Sequence, residues 1–177
     1  MIHTPNLLHS LILLCTYNIN FHINEEEDEE SSLIRSSSGL CLGQIQEYGD
    51  ESTQSELVRS EYAVVSVLQV SIAGGDGEQE DYSLDDGLNN ITEFIKSLHQ
   101  GRQTNEFNQG PSFPQQICLA RITDEQIEEE GGNEEIEAQL IYQSYYYYVK
   151  EYAKGAKSAI LNYFVDQENS RLYLYDQ

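Results

Sequence analysis

The spacing of apolar positions changes several times along this chain, and each change predicts an element. From Glu134 to about Phe164 the positions Ile141, Tyr145, Tyr148, Val149, Tyr152, Ala156, Ala159, Ile160 and Tyr163 fall on one side of a helical projection, with Lys150, Lys154 and Lys157 opposite. That is the pattern of an amphipathic helix. Between Glu61 and Gly75, two apolar sets alternate: Tyr62, Val64, Leu68, Val70 and Ile72 against Ala63, Val65 and Val67. The alternation and the β-branched content predict a central strand covered on both faces. Ser83 with Asp86 forms a capping box, Leu84, Leu88, Ile91, Ile95 and Leu98 repeat at helical spacing, and Gly101 supplies a stop. A helix from Ser83 to Gln100 follows.

The remaining elements are shorter. Ile117 to Ile122 is expected as a strand, leading into a second capping box at Thr123 and Gln126 that opens a helix from Asp124 to Glu130. Leu40, Leu42 and Ile45 form a weak first strand, and Tyr163 to Val165 with Arg171 to Tyr175 flank a turn as in a hairpin. Arg102 to Gln116, polar and with Pro111 and Pro114, is expected as a connecting loop. The fold class predicted from this order is α+β, a small sheet packed against two helices of which the longer is Tyr-rich and C-terminal.

The beginning of the chain is different in kind. Leu7 to Cys15 is an apolar run too short for a membrane span, which needs about 20 apolar residues. It has no preceding Lys or Arg and no A-x-A site after it, which favours the cytoplasm, with secretion the alternative if residues 1 to about 20 act as a signal peptide. Glu25 to Glu30 is an unbroken acidic block followed by Ser31, Ser32, Ser36, Ser37 and Ser38. Like charges side by side repel and resist burial, which predicts a disordered, solvated linker. Residues 1–38 are therefore expected to form an apolar leader and acidic linker, and residues 39–177 a single domain.

Charge narrows the function. The net charge is −22, and 24 of the 31 acidic residues lie between Glu25 and Asn133, against 5 basic ones. A field of that sign repels phosphate backbones, so nucleic-acid binding through a basic footprint is disfavoured, and a cationic protein partner or a diffusely bound divalent cation is what the charge permits.

Motifs for catalysis are missing from the sequence. His3, His9 and His22 lie in the leader, which leaves His99 at a helix end where a partial positive charge is welcome. Cys15, Cys41 and Cys118 show no metal-ligand spacing. If a secreted chain lost its leader, Cys41 and Cys118 would remain as a pair able to bridge, and the sequon Asn90, Ile91, Thr92 would become a glycosylation candidate at Asn90. The turn from Gly74 to Asp81 sits where phosphate loops sit, but it has no Lys and its carboxylates would repel a phosphate. Asp76, Glu78 and Glu80 suit a hard divalent cation instead.

The Tyr-rich helix offers a second candidate. A helix cannot turn Tyr145 to Tyr148 all to one side, so Tyr146 and Tyr147, with Lys150 and Lys154, form the expected binding face. Gly155 interrupts the same helix at a cost of about 1 kcal/mol relative to Ala, suggesting close approach of a neighbour. The sequence thus favours a non-enzymatic acidic binding protein that recognises a protein partner. The alternative is a carboxylate-based or metal-assisted enzyme working at Gly74 to Asp81.

Overall fold

The computed structural model describes residues 5–19, 21–73, 81–106, 109–141 and 147–161. Among them the chain forms eight helices: α1 (Pro5–Cys15), α2 (Glu25–Tyr48), α3 (Glu51–Arg59), α4 (Tyr62–Ala73), α5 (Asp81–Gln100), α6 (Ile117–Glu129), α7 (Gly132–Ile141) and α8 (Tyr147–Leu161). The described residues contain no sheet, and their sole β contact is an isolated antiparallel bridge between Arg102 and Phe113. The α+β expectation is therefore overturned. The expected C-terminal hairpin lies outside the described residues.

The expected central strand is α4. Tyr62, Ala63, Val65, Ser66, Val67 and Val70 are all buried, and their positions run round the helix rather than along one face. The helix packs against α1, α2, α3, α5, α6 and α7. A short apolar run buried on most sides satisfies strand and helix patterns equally, and tertiary burial outweighs the β preference of valine. Ser66, the polar residue within the run, returns its hydroxyl to the Tyr62 carbonyl at 2.9 Å and leaves no unmet donor.

The other two expected strands also lie in helices. Ile117 to Ile122 is the start of α6, so Thr123 is an interior, fully buried position rather than a cap. Leu40, Leu42 and Ile45 belong to α2, where Leu42 is buried and Leu40 is exposed. The acidic block opens α2 rather than forming a linker. Asn24 caps that helix by accepting from the Glu27 amide at 3.0 Å, and Glu25, Glu26, Glu27 and Asp28 occupy the first turn. Carboxylates placed there meet the positive end of the helix dipole, which offsets part of their mutual repulsion. The expected division after residue 38 falls inside α2, between two buried residues, Ser38 and Gly39.

The helix expected from Ser83 to Gln100 is present as α5, and its five repeating apolar residues are all buried. Gly101 ends it with φ +74°, a left-handed conformation open to glycine at little cost. Phe94 of α5 meets Tyr62 of α4 edge to face, with centroids 5.0 Å apart. On the other side of α5 lies α8, which contributes Val149, Ala153, Ala156, Ala159 and Ile160 to the core. Tyr148 and Tyr152, expected on the packed stripe, are 64% and 38% exposed, so valine and alanine rather than tyrosine make the contact.

Gly155 has room to spare. A Cβ there would meet Thr92 at 3.9 Å, an ordinary contact, so close approach does not explain this glycine. Gly155→Ala is expected to stabilise the fold by roughly 0.5–1 kcal/mol in urea denaturation. Gly110→Ala should do the opposite, because its Cβ would collide with the Glu47 carbonyl oxygen.

Candidate functional site

α5 presents a polar face opposite its leucine stripe. Asp86, Asn90, Glu93, Ser97 and Gln100 follow one another at intervals of three or four residues and run for about 21 Å of helix. α2 lies alongside with Gly43, Gln46 and Glu47, and the two helices enclose an open cleft of about 500 Å³, closed at one end by residues 101–105. Gly43 sets the spacing: a side chain there would run into the carboxamide of Asn90.

The floor of the cleft is buried and polar. Gln46 and Ser97 are 5% and 7% exposed, and the Gln46 amide donates to the Ser97 hydroxyl at 3.4 Å. The walls carry further side-chain amides, Gln44 on α2, Asn89 and Gln100 on α5, and Gln103 and Asn105 beyond them. Among the charged lining residues, Glu47, Asp86 and Glu93 are acidic, while Lys96 is held by Glu93 at 3.0 Å. Asp86 stays open to solvent on one side, yet desolvation by the surrounding protein raises its pKa above 3.8.

Arg102 closes the cleft and anchors it. Its guanidinium is buried and donates to the carbonyls of Gln46 at 2.9 Å, Glu47 at 2.6 Å and Gly49, all at the C-terminal end of α2, and to Pro111 at 2.9 Å. These are the carbonyls that a helix end leaves without partners, and the dipole there favours a cation. The group also lies over the Phe113 ring, 4.6 Å from its centroid. Burial draws its pKa down, with Glu47 pulling the other way. Gln54 of α3 adds a bond to the Gln46 carbonyl at 2.8 Å.

Several of the residues expected from sequence cannot be placed against this cleft. Tyr146 and the acidic trio Asp76, Glu78 and Glu80 are outside the described residues, as is the Tyr147 side chain. Lys150 is half-buried on α8, and Lys154 reaches Glu151 at 2.8 Å. Lys157 crosses to Glu137 of α7 at 2.6 Å. Lys150, Lys154 and Lys157 are not among the residues that line the cleft. Asn90 does line it, packed against α2 while the Thr92 hydroxyl is buried on the Leu88 carbonyl, so a glycan on Asn90 would have to push α2 aside. Cys15, Cys41 and Cys118 are free thiols; burial is the main cause that pushes Cys15 up to about 12, while Cys41 and Cys118 are exposed.

Two further groups bear on chemistry. His99 pairs with Asp124 of α6 at 3.0 Å, both largely shielded from solvent, and this ties α5 to α6 away from the cleft lining. No group of three or more His, Cys, Asp or Glu residues able to hold a metal ion occurs among the described residues. No helix among them is long and apolar enough to cross a membrane. No family model, curated protein or solved structure matches this chain.

Arg102→Ala should cost about 3 kcal/mol or more in denaturant unfolding, since it removes a buried side chain that ties four carbonyls together and takes this donor from those of Glu47 and Pro111, while Gln54 still reaches those of Gln46 and Gly49. Arg102→Lys should recover only part, because one ammonium cannot span carbonyls on both sides. Asp86 gives a pH signature. Its raised pKa means the folded state binds this proton more tightly than the unfolded chain, a stabilisation fully present below 3.8 and lost as pH rises through the raised value. The stability difference between Asp86→Asn and the parent chain should therefore shift in favour of the variant across that interval, as read from denaturation at a series of pH values.

Proposed function

We propose that this protein is a non-enzymatic binding module whose α2–α5 cleft takes a cationic segment of a protein partner. The observation that carries this reading is the lining itself. Glu47 and Asp86 supply negative charge along one groove, Glu93 being paired with Lys96 and Arg102 being held by backbone carbonyls, and the amides between them offer paired donors and acceptors suited to a peptide backbone. A Lys or Arg side chain beside Asp86 would meet a partly desolvated carboxylate, where ion pairing is stronger than at an open surface. The net charge of −22 adds long-range attraction for such a partner and speeds encounter.

A chain this acidic attracts any polycation, so the test has to separate the cleft from the overall field. Calorimetric titration with a short Lys/Arg-containing peptide is expected to show saturable binding that Glu47→Gln combined with Asp86→Asn weakens by roughly tenfold or more. Glu134→Gln with Glu135→Gln removes the same charge from α7 and should leave affinity nearly unchanged. Equal weakening by both pairs would mean that the peptide reads only net charge, and the cleft assignment would fail.

A further inference from the structure

A second cleft, of about 610 Å³, lies between the α1–α2 turn, α2 and α4. Helical register builds two of its walls. Asp28, Ser31 and Arg35 share one face of α2 at intervals of three and four residues, and Leu68, Ser71 and Ile72 share one face of α4. The turn closes the third side with Ile19, Phe21 and His22. Ser31 is 5% exposed and its hydroxyl accepts from the Asn18 amide at 3.3 Å, fixing the turn against α2.

The cleft carries one carboxylate, Asp28, and one guanidinium, Arg35. Asp28 is occupied by His22 and by the Ile23 amide at 3.3 Å. Arg35, half-buried, donates to the Tyr17 carbonyl at 3.1 Å and has no carboxylate within ion-pair reach among the described residues. In a chain with 31 acidic and 9 basic residues, Arg35 sets a guanidinium without an ion-pair partner among the described residues beside an apolar wall. Its planar fork matches a carboxylate in bidentate fashion. Ile19, Phe21, Leu68 and Ile72 provide a surface for hydrocarbon next to it.

We propose that this cleft binds an amphipathic carboxylate, its head on the Arg35 guanidinium and its alkyl chain along Ile19, Phe21, Leu68 and Ile72. An inorganic anion would gain nothing from the apolar wall, and an alkyl cation would face Arg35. The full chain is titrated with decanoate below its self-association concentration, with decylamine as a chain-matched cation and phosphate as an anion without a chain. Decanoate should bind saturably, the two comparison probes much more weakly, and Arg35→Gln should weaken decanoate by roughly tenfold. Phe21→Ser, at a position 72% exposed and so unable to disturb the core, should weaken it as well. Circular dichroism of both variants checks that the fold is kept. Absence of saturable decanoate binding, equal binding of decylamine, or affinity unchanged in Arg35→Gln would overturn the proposal.

Discussion

Burial of α4 is the constraint on which the other helices depend. Its twelve residues are mostly apolar, and helices on several sides reach it, so each of those helices needs an apolar stripe that meets α4 or its neighbour α5. At about 25 cal/mol per Å², side chains such as Tyr62, Val65, Val67 and Val70 each favour burial by around 1.5–3 kcal/mol. An extended segment with the same side chains would need hydrogen-bonded partner strands on both edges, and no described segment supplies them. As a helix, α4 satisfies its backbone internally and leaves its whole circumference for packing.

The second tier of the fold is held by polar contacts. α2 meets α5 through Gly43 beside Asn90 and through Gln46 bonded to Ser97, both polar contacts. Such an interface gains little from the hydrophobic effect, and Arg102 makes up for it by engaging the carbonyls at the end of α2. The same economy of apolar contact leaves a polar cleft between the two helices. Fold and candidate site thus share one cause: a long helix built with small and polar residues on its inner face.

What the sequence revealed follows from which signals are local. α5 was legible because its leucine stripe, its glycine stop and its length all agree, although the sequence reading did not single out the polar face at Asp86, Asn90, Glu93, Ser97 and Gln100 that shares its register. α4 was not, since alternation and helical wrapping cannot be told apart in a run that is apolar on nearly every side. The acidic block was misread for a related reason. Repulsion among carboxylates is a local argument for disorder, whereas the Asn24 cap and the helix dipole that oppose it appear only once α2 is known to exist. Arg102 carried no sequence signal, because it sits in a polar segment and its partners at the end of α2 are more than fifty residues away. The cleft it anchors was hidden with it.

Electrostatics and architecture point the same way about function. In the proposed reading the acidic surface attracts positive charge and the α2–α5 groove supplies its hydrogen-bonding partners, while Arg35 sets a guanidinium beside an apolar wall in a second cleft. All of this rests on residues 62–73 being the central helix. Backbone chemical shifts measured by NMR across that segment test it directly: Cα shifts displaced in the helical direction from Tyr62 to Ile72, with slow amide exchange, are what the account predicts. Displacement in the extended direction with cross-strand contacts would contradict it.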